Sequence, residues 1–156
     1  MSTSETIASV QGREIVVTRL FRAPRDLVYR TWTDPDHLPK WWGPKGFAIT
    51  VQEIDVRPGG VWRYVMHGPD GTDYDNLITY VEIDEPDRIV YSHGDAADPE
   101  QFRVTVTFAE RDGGTELTMT SQFKSVEALQ YVVKEYGAVE GAKSTMERLG
   151  EHLANL

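Results

Sequence analysis

The sequence predicts an α+β fold: a strongly curved antiparallel sheet of about seven strands wrapped on a long C-terminal helix, with two short helices after the first strand. Three observations carry that prediction. Residues 47–123 read as β-rich runs separated by turn signals. The last segment places Val139, Ala142, Met146, Leu149, Leu153 and Leu156 at spacings of three and four, one apolar stripe on an amphipathic helix. Such a stripe needs an apolar surface to lie on, and the inward face of the sheet is the only candidate of that size.

Element by element, residues 13–22 (REIVVTRLFR) have the β-branched and aromatic content of a first strand. Pro24 presets φ for a helical first turn, Asp26 suits the positive end of that helix, and Leu27, Val28 and Trp32 give it an apolar side. A second short helix is expected over residues 34–41, capped by Asp34, with Pro35 at its first position and a stop before Gly43-Pro44. Residues 47–57, 61–67, 72–84, 88–94, 101–110 and 115–123 then form a meander. Its turns fall at Pro58-Gly59-Gly60, Gly68-Pro69-Asp70-Gly71, Glu85-Pro86-Asp87 and Asp112-Gly113-Gly114, with an acidic loop over 95–100. Ser125 is the expected N-cap of a further helix, and Gly137 its break.

Composition narrows the function classes. A chain of 156 residues with 40% hydrophobic and 26% charged content fits one compact domain, expected over residues 13–156 behind a loose polar tail at 1–12. The formal charge of −9, from 25 acidic and 16 basic residues, repels phosphate backbones and anionic lipid heads, so nucleic acid and membrane surfaces are not expected partners. No apolar run approaches a membrane span, and no secretory signal opens the chain. With no cysteine there is no disulfide framework or thiolate chemistry, which fits the cytoplasm.

Inward-facing positions of the strands are rich in aromatics. Alternation puts Trp62, Tyr64 and Met66 on one strand face, Ile89, Tyr91 and His93 on another, and Phe102, Val104, Val106 and Phe108 on a third. Ligand pockets are mostly apolar and aromatic with a few placed polar groups, here Tyr64, Tyr74, Tyr91 and His93. The same pattern also describes a filled core. Gly141, beside the helical stripe, leaves space where a side chain would otherwise stand.

Motifs for phosphate binding, dinucleotide binding and the nucleophile elbow are absent, so no cofactor is implied. The four histidines (His37, His67, His93, His152) have no ligand spacing, and no metal is expected. Asp34/Asp36 and Asp73/Asp75 have cap or hairpin explanations. His93 and Tyr64 are the only weak candidates for acid/base work.

Three blocks in order, FRAPRDLVYRTWTDPDHLPKWWGPKGF, DVRPGGVWRYVMHGPDGTDY and VVKEYGAVEGAKSTMERLGEHL, resemble the activator of heat-shock protein 90 ATPase-like (AHSA-type) family. That family belongs to the START-like, polyketide cyclase and pollen-allergen (SRPBCC) superfamily. The resemblance implies a helix-grip fold with a cavity between sheet and long helix. It points first to binding of a small apolar or amphipathic molecule by Trp41, Trp42, Phe47, Trp62, Tyr64, Met66, Tyr91, His93, Phe102 and Met146, with the two tryptophans at the mouth. A second reading is a cyclase or dehydratase acting on a polyketide-like substrate. A third is a chaperone-partner or stress-response module using an outer surface that includes Arg57 and Arg63. The eukaryotic co-chaperones of the family carry a separate N-terminal domain for which 156 residues leave no room, so a heat-shock chaperone is the weaker expectation.

Overall fold

The structure is a computed structural model and describes residues 6–156. The chain runs through β1 (Ile7–Gln11), β2 (Glu14–Phe21), α1 (Arg25–Thr33), α2 (Leu38–Trp41), β3 (Ala48–Ile54), β4 (Val61–His67), β5 (Asp73–Asp84), β6 (Arg88–Gly94), β7 (Phe102–Arg111), β8 (Gly114–Phe123), α3 (Val126–Tyr136) and α4 (Ala138–Ala154). All strands join one open antiparallel sheet in the order β1-β2-β8-β7-β6-β5-β4-β3. The meander from β3 to β8 is therefore continuous, and β8 returns to pair with β2 from Phe21↔Thr115 to Glu14↔Gln122. Register shifts between Val51 and Glu53 and between Tyr80 and Glu82 insert extra residues, which bend a strand and increase its twist. They supply curvature on the side of the sheet that faces the aromatic interior.

Two expectations need correction. Among the described residues the sheet has eight strands where about seven are expected, because residues 7–11 of the expected polar tail form β1. Gly12, at φ 62°, turns the chain so that Gln11 pairs with Glu14 and Ile7 with Thr18. Ile7 and Val10 stay exposed on this edge strand. It is held mainly by its backbone ladder, with only Ala8 partly buried against the core, so little hydrophobic alternation marks it. Residues 1–5 lie outside the described residues. The second helix is also shorter than residues 34–41. Asp34 accepts from the Asp36 N–H through Oδ1 (2.8 Å) and from the Leu38 N–H through its carbonyl (3.0 Å), making a turn before α2.

The remaining local signals behave as their chemistry dictates. Ser125 Oγ accepts from the Ala128 N–H at 3.0 Å and caps α3. Gly137, left-handed at φ 60° and ψ 42°, ends α3 and starts α4 in a new direction, a conformation that costs glycine nothing sterically. On α4, Met146, Leu149 and Leu153 are buried against the sheet, while Leu156 falls beyond the helix and is exposed. Burial of each large apolar side chain contributes about 1.5–3 kcal/mol, so this stripe anchors the helix.

Candidate functional site

Between the inward face of the sheet, α3 and α4 lies a cavity of about 950 Å³. Strand alternation delivers its walls: Tyr64 and Met66 from β4, Asn76 from β5, Tyr91 and His93 from β6, Phe102 and Val104 from β7, and Met119 and Phe123 from β8. The helices supply Ala128, Tyr131 and Val132 from α3 and Gly141, Ala142, Thr145 and Met146 from α4. Gly141 faces the rim: a Cβ there would sit 3.5 Å from Pro44 Cγ. Among the described residues, no group of three histidine or acidic side chains could hold a metal ion.

Eight of the ten expected site residues line this space: Trp42, Phe47, Tyr64, Met66, Tyr91, His93, Phe102 and Met146. Trp41 and Trp62 do not. Expected at the mouth, Trp41 is instead fully buried, with Nε1 donating to the Thr31 carbonyl at 3.0 Å and its ring edge-on to Trp32 at 4.9 Å. The single turn of α2 points it inward. Trp62 is fully buried between Trp42 (5.0 Å) and Tyr64 (4.5 Å), so it backs the wall rather than facing the space. Trp42, also expected at the mouth, is a nearly buried wall residue. The mouth is made by Gly43, Pro44 and Phe47 with the exposed Tyr74, Tyr131 and Tyr136.

Arg148 holds that mouth in place, and sequence reasoning missed it. From α4 its Nη1 donates toward the carbonyls of Trp42 (3.1 Å), Gly43 (3.0 Å), Pro44 (3.3 Å) and Phe47 (3.3 Å), and its Nη2 to that of Lys40 (3.2 Å). Beside it, Ser144 Oγ accepts from the Lys45 N–H at 2.9 Å. A lone arginine next to a helical apolar stripe carries no sequence mark of such a role.

A chain of polar contacts runs along one wall. Trp42 Nε1 donates to the Tyr64 hydroxyl (2.8 Å), which lies 3.3 Å from His93 Nε2, itself 2.9 Å from Asn76 Oδ1. Asn76 was missed too, although the alternation Tyr74, Asn76, Ile78, Tyr80 puts it on the inward face. Burial holds the His93 imidazole at a pKa of about 4, so the ring is neutral at pH 7. Burial, against the opposing Trp42 hydrogen bond, pushes the Tyr64 phenol far up. Tyr91 is raised by burial first, then by the neighbouring Tyr64 and Tyr80. The wall therefore presents neutral, protonated phenols beside a neutral imidazole.

An open, curved sheet closed by a C-terminal helix, with an aromatic cavity between them, defines a helix-grip protein of the START-like class. The chain belongs to the family described as activator of Hsp90 ATPase homolog 1-like protein, which it matches over residues 22–154. A crystal structure of a Mycobacterium smegmatis protein is similar at 32% identity, covering 97% of this chain and 98% of that one, with a TM-score of 0.85. A solution structure from Arthrobacter aurescens is 26% identical over 96% of this chain and 92% of its own, with a TM-score of 0.86. A family protein from Silicibacter pomeroyi, 21% identical over 91% of this chain and 98% of its own, shares the fold at a TM-score of 0.72. No curated protein matches the sequence. Family membership supports a ligand-binding or chaperone-associated domain. Among the described residues, no helix is long and apolar enough to cross a membrane.

Proposed function

We propose that this protein binds a small hydrophobic or amphipathic molecule in the cavity between its sheet and α4. The single observation that carries this reading is the cavity itself, whose roughly 950 Å³ is at the upper end of the range for small-molecule sites. Its walls are largely apolar and aromatic, and the hydrogen-bonded run of Trp42, Tyr64, His93 and Asn76 along one wall supplies polar groups that could orient an amphipathic guest. The residues 13–156 act as one unit in this proposal, and the cytoplasm is its setting.

The chemistry favours holding over turnover. A neutral imidazole with a pKa of about 4 is a weak base, and phenols shifted upward are weak acids, so neither His93 nor Tyr64 is tuned near neutrality for proton transfer. Chaperone association rests on the family description alone, and no side-chain feature of this chain adds to it.

Native mass spectrometry of the purified protein, followed by the same sample denatured, tests the proposal; a reproducible extra mass lost on denaturation is the expected result. Titration with the neutral fluorophore N-phenyl-1-naphthylamine supplies a second readout, with saturable one-to-one binding expected. Ala142→Phe, which fills the space from α4, is expected to weaken uptake at least about tenfold while the protein stays folded. Undiminished uptake by that variant would place the dye elsewhere and overturn the proposal.

A further inference from the structure

The direction of the hydrogen bonds along the polar wall can be worked out. Asn76 Nδ2 donates to the Tyr74 carbonyl at 3.1 Å, which turns Oδ1 toward His93. An acceptor at 2.9 Å requires His93 Nε2 to carry the ring proton. The neutral ring then has a bare lone pair on Nδ1, an atom that takes part in no hydrogen bond among the described residues. Tyr91, two positions earlier on the same strand face, is 3% exposed and lines the cavity. Its ring is wedged among Trp42, Tyr80 and His93, yet its hydroxyl has no hydrogen-bond partner among the described residues. The hydroxyl is not among the fully buried unpartnered polar atoms, so it is reachable from the cavity that Tyr91 lines, where an acceptor on a guest can take its proton in a hydrogen bond. The two ring centroids are 6.3 Å apart, and both residues line the cavity.

We infer that the Tyr91 hydroxyl and His93 Nδ1 form a donor–acceptor pair selecting neutral, hydroxyl-bearing ring compounds, phenols above all. The guest oxygen accepts from Tyr91 and its O–H donates to His93, while the aromatic walls take the ring. This rests on the cavity reading proposed above. Anions are disfavoured at the same place. The charged side chains lining the space are Asp75, Asp95, Asp98, Glu135 and Lys124, and Lys124 Nζ is already 2.7 Å from Asp98 Oδ2. A carboxylate guest would meet excess negative charge and the Nδ1 lone pair, with no free cation among these residues. Tyr91 keeps its proton across the ordinary pH range because burial raises its pKa, so the donor is permanent.

Titrations of naphthalene, 2-methoxynaphthalene, 2-naphthol and 2-naphthoate, followed by isothermal titration calorimetry, test the inference. The naphthol is expected to bind about tenfold tighter than naphthalene, with the ether between them and the carboxylate weakest. In Tyr91→Phe the naphthol preference is expected to shrink to about twofold. If N-phenyl-1-naphthylamine binds but naphthol and naphthalene bind alike, the donor–acceptor pair is overturned and the cavity reading stands. An ether as tight as the naphthol removes His93 from the pair. Tighter naphthoate overturns the exclusion of anions. Absence of saturable binding by the fluorophore and all four naphthalenes overturns both readings together.

Discussion

The aromatic residues beneath the sheet fall into two groups with opposite surroundings. Next to α1 and α2, Trp32, Trp41, Trp42, Trp62 and Phe108 make a solid cluster, their rings meeting edge-on or tilted at 4.9–6.2 Å. Toward α3, Phe47, Tyr74, Phe102, Phe123, Tyr131 and Tyr136 border the cavity, and Tyr131 and Tyr136 are 57% and 61% exposed. Ring chemistry is similar at both ends. The difference lies in what covers them: one end is plugged by the short helices, while at the other the cavity lies beneath α3 and α4, which meet at left-handed Gly137. Aromatic content therefore marks the inside of this sheet without saying whether that inside is filled. Trp32 and Trp42 belong to both groups, because both line the cavity, and Trp42 also packs on Trp62 behind it.

This contrast makes ordered predictions, and the packed end is where the largest effect falls. Trp62→Ala should remove about 3–5 kcal/mol of stability in chemical denaturation and reduce dye uptake, because the wall it backs collapses. A loss below about 1 kcal/mol would show that the cluster is not the core. Next comes the seam between the two ends. Arg148→Met should cost about 2–3 kcal/mol, because the rim carbonyls lose a charged donor. It should also speed amide exchange at Phe47 and Lys45, whose N–H groups bond to Pro44 and Ser144. Unchanged exchange there would mean that the rim holds itself.

A smaller effect is expected at the polar wall of the cavity. His93 has a pKa of about 4 in the fold, against about 6.5 when unfolded, so the unfolded chain binds the extra proton between those values. Stability should therefore be complete above about pH 6.5, fall as the pH drops toward 4, and level off below. The half-buried ring limits the loss to about 1–2 kcal/mol. His93→Gln should flatten that part of the pH profile, and a variant with the wild-type slope would assign the titration elsewhere. The smallest stability effect belongs to the exposed rim. Tyr131→Ala should change the free energy of unfolding by less than about 0.5 kcal/mol while weakening dye uptake several-fold. A large destabilisation would make Tyr131 part of the packed end after all.

Much of this arrangement was legible in residue order. Strand alternation put Tyr64, Met66, Tyr91, His93 and Phe102 on the inward face, and all five line the cavity. The stripe of Met146, Leu149 and Leu153 identified the helix that lies on them. The same alternation selected Trp62, which is inside yet not at the cavity, because pleat direction says which way a side chain points and not what it meets. Trp41 and Trp42 are adjacent and chemically identical, and the end of a four-residue helix sends one into the core and the other to the wall. β1 escaped notice because its stability comes from backbone pairing, which any polar sequence can provide.

By itself the sequence determined the class of fold, the meander, the helix that closes it and the aromatic character of the interior. Those follow from local rules: the period of apolar residues, caps such as Ser125 and turns at glycine and proline, all acting within a few residues. Tertiary structure decided the rest. Whether rings pack or part, which tautomer His93 adopts beside Asn76, and where Arg148 anchors the rim all depend on groups brought together from distant parts of the chain. Hydrogen bonds and voids depend on contact within about 4 Å, and only the closed fold brings those groups that near.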